Sequence, residues 1–304
     1  MKVAIAGGSG FIGKHLTRYF LNKGHDVFIL TRSEKTSSEK RLHYVKWLSD
    51  SATPLASLEG IDAVINLAGK SINSLWTEKT KMDIFSSRIS STKAIYSIID
   101  GLQKKPSVFI NASAVGFYGT SIDQTFTEDS IEAGKDFLAK TVDAWEKEAA
   151  KIGELHVRTV IIRIGIVFGH EGALPSLALP YKLFAGGKLG TGQQWVSWIH
   201  VKDLIALIDH TIHTSEISGP INATAPSPVK MNQLGKTIGK IIHRPHWLPA
   251  PSFALKTLLG EMSIMVLEGQ KVIPMKALQH HFHFVYPTLD EALSDILKKQ
   301  MKSS

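Results

Sequence analysis

Three glycines spaced three apart, Gly7, Gly10 and Gly13, lie in "KVAIAGGSGFIGKHL", between an apolar run and the start of a helical pattern. That arrangement suits phosphate chemistry. One glycine makes a tight turn, one lets a phosphate approach the backbone, and one lets the helix pack close to the strand. The free N–H groups and positive dipole end of the helix N-terminus would then face a pyrophosphate. The strand–turn–helix context separates this pattern from a glycine-rich turn without a ligand. The next apolar run ends in "ILTRSE", where a dinucleotide site meets the adenosine ribose. Arg32, flanked by Thr31 and Ser33, would accommodate the 2′-phosphate of NADP. With Arg32 a surface charge and Glu34 on the ribose, the cofactor would instead be NAD. In "VINLAGKSI", Leu67 and Ala68 precede Gly69, so the backbone there could lie beside a cofactor.

Such a turn needs a sheet edge to stand on. Short runs rich in Val, Ile, Leu or Phe predict strands at Lys2–Ala6, Asp26–Thr31, Ala63–Ala68, Ser107–Ala112 and Arg158–Ile164. Continuously apolar strands belong in a sheet buried on both faces. Between them the spacing is helical. Ile12, Leu16 and Phe20 share one face, and Phe85, Ile89, Thr92, Tyr96 and Ile99 share a face of a longer helix. Alternating strands and helices imply an α/β fold with a doubly wound parallel Rossmann sheet. From about Gly169 the texture changes, with Gly and Pro clustered in "GHEGALPSLALPYKLFAGGKLGTGQQ" and Pro again in "HRPHWLPAPS". Residues 1–168 are therefore expected to form an NADP-binding Rossmann domain, rejoined by about 199–224 through a helix at Lys202–His213 and a strand at Pro220–Ala223. Residues 169–198 and 225–304 are expected to form a smaller, interleaved C-terminal substrate lobe.

Composition narrows the chemistry. The 304 residues, 43% hydrophobic and 20% charged, suffice for a sizeable core. The absence of cysteine excludes disulfides, thiolate metal sites and cysteine nucleophiles, and is compatible with a reducing compartment. The net charge of +8 is scattered, with no block of like charges. It predicts a basic surface that attracts anionic ligands, and no nucleic-acid partner. No apolar stretch reaches ~18 residues, and no signal-like segment opens the chain, so a cytoplasmic protein without a membrane partner is expected. "HHFH" at 280–283 lacks carboxylate or cysteine neighbours, and no metal is expected there.

Taken together, these motifs resemble the extended short-chain dehydrogenase/reductases over nearly the whole chain. "GGSGFIG" is similar to the cofactor loop, "NLAG" to the fourth-strand motif, and "INASAVGFYG" to the fifth-strand segment with its active-site serine, here Ser113. "IIRIGIVFG" resembles the strand and loop on the nicotinamide side, and "WIHVKDL" the segment joining the substrate region to the sheet. More narrowly, the chain resembles the epimerase family, NAD-dependent epimerase/dehydratase-like proteins. "WLPAPSFALKTLLGEMSIMVLEGQKVIP" and "FHFVYPTLDEAL" are similar to that branch's C-terminal domain of unknown function. The resemblance implies a cofactor shell of Gly7, Gly10, Phe11, Ile12, Thr31, Arg32, Leu67, Ala68, Asp83, Arg88 and Val167. Arg88, in "FSSRISS", would reach an anionic group of the cofactor or else face solvent. Pairing into homodimers through sheet-face helices is also implied.

The superfamily's chemistry needs a Tyr and, four residues on, a Lys. The Lys and cofactor lower the phenol's pKa so that it can move a proton, while the Ser polarises a carbonyl. In "KDFLAKTVDAWEKEAAK" those two positions hold Phe137 and Thr141. Lys140 stands one place early, about 100° around the helix. Phenylalanine has no proton to give. Tyr118, five residues after Ser113 and beyond a strand's carboxyl end, is the remaining candidate phenol, or else a packed aromatic. His200 could be an acid or base, or a structural hydrogen-bonding group. Two functions stay open. One is an NADP-dependent oxidoreductase or epimerase-like enzyme on a small polar substrate. The other is a nucleotide-bound sensor or assembly protein that kept the dinucleotide site without turnover.

Overall fold

The structure, a computed structural model, describes residues 1–49 and 52–302. Its first half alternates β1 (Lys2–Ala6), α1 (Phe11–Asn22), β2 (Asp26–Thr31), β3 (Leu42–Lys46), α2 (Pro54–Leu58), β4 (Ala63–Asn66), α3 (Glu78–Gly101) and β5 (Val108–Ala114). There follow β6 (Thr125–Phe126), α4 (Phe137–Ala150), β7 (Arg158–Ile164), β8 (Ile166–Phe168), α5 (Ala173–Lys182), β9 (Trp195–Val196), β10 (Trp198–His200), α6 (Val201–His213) and β11 (Gly219–Ala223). The last part comprises β12 (Val229–Lys230), α7 (Met231–Ile241), α8 (Ser252–Leu259), α9 (Ile264–Leu267), β13 (Lys271–Val272), α10 (Met275–Gln279) and α11 (Leu289–Lys302).

Seven strands make one parallel sheet in the order β11–β7–β5–β4–β1–β2–β3, the doubly wound Rossmann arrangement read from the sequence. The winding reverses between β1 and β4, and the carboxyl ends of these strands open a crevice there. Alternate residues serve the two faces. Val3, Ile5, Ile65, Ile110 and Ile162 pack with residues of α1 and α6, while Ala4, Val64 and Phe109 pack with Ile95, Ile98 and Ile99 of α3. A second apolar cluster joins Phe168, Leu174, Tyr181, Trp198, Leu234 and Leu293, drawing α5, α7 and α11 together. A late strap returns to the first half: β13 pairs in parallel with β6, and Ser121 N–H donates to Gly269 O at 2.9 Å.

The structure shifts several local readings. β4 stops at Asn66, which leaves Leu67 and Ala68 as the loop beyond it, and β5 runs on to Ala114. The alternating "LHYVK" is the edge strand β3, which no apolar run announced. β13 has no counterpart among the expected strands. α3 buries Ile84, Ser91, Thr92, Ile95, Ile98 and Ile99, and Phe85 stays exposed. The hydroxyls of Ser91 and Thr92 donate to Arg88 O (3.0 and 2.9 Å), which lets small polar residues take core positions. No described helix is long and apolar enough to cross a membrane, and no described cluster of His, Asp and Glu is placed to hold a metal ion.

Candidate dinucleotide site

The turn after β1 opens a groove of about 1030 Å³ over the switch point, lined by Gly7, Gly8, Ser9 and Gly10 on one side and Leu67–Lys70 on the other. Gly7 has φ +79°, and a Cβ there would stand 2.7 Å from Leu67 O, so both backbone conformation and space require glycine. A Cβ on Gly13 would stand 2.3 Å from Gly7 O, so the close approach of α1 to the turn also requires it. Gly10 differs. A Cβ there would meet only Gly7 O, at 3.4 Å, and would otherwise project into free space. Gly10 opens α1 as a cap without a side chain, which leaves first-turn N–H groups for a ligand.

Five cations line this groove, Lys14, Arg18, Arg32, Lys35 and Lys70, against one carboxylate, Glu39. Arg18 meets Glu39 at 3.8 Å, Lys14 meets Glu171 at 3.8 Å, and Lys70 meets Asp83 at 2.6 Å. Arg32 and Lys35, exposed beyond the end of β2, have no hydrogen-bond or ionic partner among the described residues. Glu34 instead faces Lys46 at 3.5 Å. Sequence reasoning missed Lys14, Arg18, Lys35 and Lys70, because single exposed cations on helices and loops carry no pattern.

Of the residues expected around a cofactor, Gly7, Gly10, Thr31, Arg32, Leu67 and Ala68 line the groove. Gly13 and Ile12 support the turn from behind, and the Phe11 ring covers Gly169 and Gly172 at the turn after β8, the strand that holds Val167. Asp83 is committed to Lys70, whose ammonium holds the carboxyl below the usual range. Arg88 lies beneath the groove wall. It donates to Lys70 O (3.1 Å) and Ile84 O (2.9 Å), and its guanidinium carbon sits 5.1 Å from the Trp145 ring centroid. Burial pushes its pKa down to about 10, and no carboxylate pairs with it among the described residues.

Ser113 and Tyr118 belong to a different environment. Both are at most 4% exposed. Ser113 Oγ donates to Glu146 Oε1, and Arg163 clamps the same carboxylate through Nε (2.9 Å) and Nη2 (2.8 Å). Arg163 Nη1 donates to Tyr118 Oη at 3.0 Å, and Tyr118 Oη donates to Asn222 Oδ1 at 2.7 Å. Asn222 is fixed in turn by Glu128 Oε1 and Ile273 O. Burial raises the Tyr118 pKa, with Arg163 opposing it. Neither hydroxyl lines the groove. The signal for this network was in the sequence: Arg163 interrupts the apolar run "VIIRIGIV" and demands a buried partner. His200 caps α6 by accepting from Lys202 N at 3.1 Å, and its ring lies on Tyr286 at 3.9 Å.

Comparison with known proteins accords with this architecture. The NAD-dependent epimerase/dehydratase family pattern matches residues 3–223, most of the chain. The chain belongs to that family. Residues 250–296 match a further family, a domain of unknown function. The chain is 50% identical over 297 residues to the epimerase family protein YfhF of Bacillus subtilis, covering 98% of each. It is 31% identical to the human epimerase family protein SDR39U1 (isoform 2), solved with NADPH, covering 98% of this chain and 99% of that one at a TM-score of 0.88. A nucleoside-diphosphate sugar epimerase of Corynebacterium glutamicum is 29% identical with a TM-score of 0.78, covering 99% of this chain and 61% of that one.

In this epimerase/dehydratase chain, α4 turns Phe137, Thr141 and Trp145 onto one face, and α3 answers with cations. Lys81 Nζ stands 5.8 Å from the Phe137 ring centroid and Arg88 lies on Trp145. Trp76 meets the Phe137 ring edge-on at 5.5 Å. Lys81 is held by Glu78 (3.0 Å) and by Glu261 (2.7 Å), from the turn after α8, and these carboxylates raise its pKa.

Proposed function

We propose that this family member binds a nicotinamide dinucleotide in the glycine-turn groove, prefers NADP, and acts as an oxidoreductase or epimerase-like enzyme on a small polar substrate. The observation that carries the reading is the mismatch at Gly10, where the protein itself leaves room for a Cβ and a phosphate would fill the space. The groove is of the size expected for small-molecule sites, about 300–1,000 Å³. Gly7 to Gly10 and the first turn of α1 would hold the pyrophosphate, and Leu67 and Ala68 would flank the cofactor across from them. Arg32 and Lys35, both without an anion, would take the 2′-phosphate, where a guanidinium fork suits three oxygens. The NADPH complex of the human relative supports the same choice. Bound there, the nicotinamide would supply or accept hydride.

Ser113 and Tyr118 are proposed as structural groups, because their hydrogen-bonding capacity is taken up by Glu146, Arg163 and Asn222. Lys81, beside the ring that stands in the tyrosine position, offers an N–H at the mouth of α4. A second reading has a specific observation in its favour. With Phe137 and Thr141 in the dyad positions and both hydroxyls occupied, dinucleotide binding without turnover fits the site as a sensor would.

Calorimetric titration with NADPH and with NADH tests the reading. NADPH should bind at least about tenfold more tightly, about 1.4 kcal/mol, and Arg32→Ala should erase most of that difference. Equal or tighter NADH binding by the wild type would reject the assignment of Arg32, and binding of neither would reject the dinucleotide site.

A further inference from the structure

The region around the end of α5 and the loop before α8 carries an apolar surface that the cofactor reading does not use. Leu179, Leu183, Phe184, Trp247 and Leu248 are each between 50% and 68% exposed. Two chain segments bring them together. Trp247 N–H and Leu248 N–H donate to Gly186 O (2.9 and 3.1 Å), and the Trp247 indole N–H donates to Phe184 O at 2.8 Å. An exposed patch of large apolar side chains marks a partner.

Two features say which. The first is charge. No Asp or Glu occurs between residues 172 and 202 or between residues 217 and 260, the two stretches that build the patch, while Lys182, Lys188, Lys240, Arg244 and Lys256 do. Arg244 holds its guanidinium carbon 4.4 Å over the centroid of the Phe184 ring, a cation beside the aromatic group. The second is the state of the polar groups. Leu183, Phe184 and Ala185 N–H groups donate to Leu179, Tyr181 and Pro180 carbonyls, and the Trp247 indole is already satisfied. What protrudes is hydrocarbon whose backbone needs little from water. That is the requirement for entering the acyl boundary of a bilayer. Among the described residues Lys188, Arg244 and Lys256 have no carboxylate partner, while Lys240 meets Asp290 of α11 at 3.5 Å.

We propose that this face docks on an anionic membrane surface, with Phe184 and Trp247 inserted at the headgroup boundary and Lys188 and Arg244 on the lipid phosphates. The protein lies on the bilayer without spanning it. The dinucleotide groove contributes none of these residues.

Vesicle co-sedimentation of the full chain tests this independently of any cofactor or turnover. Vesicles of phosphatidylcholine with phosphatidylglycerol should bind it at low salt, and vesicles of phosphatidylcholine alone should bind it far less. The double variant Phe184→Ser/Trp247→Ser should lose at least about tenfold in partition, and Arg244→Gln about fivefold, with melting temperature unchanged. In the unmutated chain, brominated lipid should quench tryptophan emission, and Trp247→Phe should remove that quenching. Absence of binding to the anionic vesicles, or binding undiminished in the double variant, overturns the proposal. So does a wild-type dimer that the double variant converts to monomer without vesicle binding, because the face would then be a subunit interface.

Discussion

The groove and the Arg163 network lie on the same sheet, yet they treat polar groups in opposite ways. The groove is open, with two cations lacking partners and a turn whose N–H groups have no side-chain cap. The network is closed: Ser113, Glu146, Arg163, Tyr118 and Asn222 are buried, and their polar atoms satisfy one another. Unmet capacity points to a ligand, and met capacity points to the fold. Residue type alone would have ranked them the other way, since Ser and Tyr look more chemical than Gly.

The sharpest way to break the contrast is to strip the network. Arg163→Leu leaves Glu146 as a buried charge without its bidentate partner, which should cost about 3–5 kcal/mol, read from the midpoint of urea unfolding. The double variant Arg163→Leu/Glu146→Leu should recover much of that loss. The groove should behave differently under an equally small change. Gly10→Ala should leave unfolding within about 0.5 kcal/mol of wild type while weakening NADPH binding at least about tenfold in calorimetry. A Gly10→Ala variant that unfolds early but binds normally would erase the distinction between the two regions.

Tyr118→Phe probes the boundary. It removes the donor to Asn222, and the expected loss is about 1 kcal/mol of stability with no change in NADPH affinity. Any NADPH-linked turnover should persist, and its disappearance in a folded variant would return Tyr118 to a catalytic role. The smallest effect concerns His246, which lies between Tyr181 Oη (2.8 Å) and Asn232 Oδ1 (2.9 Å). Burial lowers its pKa, so on acidification the unfolded chain takes up this proton first. Stability should therefore fall as pH drops below the unfolded value of about 6.5, and the acid-side slope of melting temperature should flatten in His246→Gln.

How much of this was legible follows from physics. β1, β2, β7 and α6 announce themselves because both faces of the strands and one wide face of the helix are buried in hydrocarbon. The glycine turn is legible because sterics restrict its positions to one residue type. The face of α3 was read only in part: Thr92 and Ile99 are buried as expected, but Phe85 is exposed, and Ser91, whose hydroxyl is satisfied within the helix, passes as core. The two-residue strands β6 and β13 had no signal at all, since they exist only through each other. The cationic lining of the groove came from residues scattered between Lys14 and Lys70, joined by folding and not by spacing.

The pairing of β13 with β6 also bears on the order in which the molecule is built. Val272 meets Phe126, Ile273 O receives Asn222, and Gln270 O receives Ser197, all across long stretches of chain. Closing such loops costs entropy before any contact compensates it. During synthesis the sheet strands leave the ribosome well ahead of residue 271. The Tyr118–Asn222 corner should therefore form first as an unsealed edge, and the strap should arrive late as its cover. A ribosome-stalled or truncated chain ending before Lys271 would carry an assembled seven-stranded sheet with that edge still exposed to chaperones.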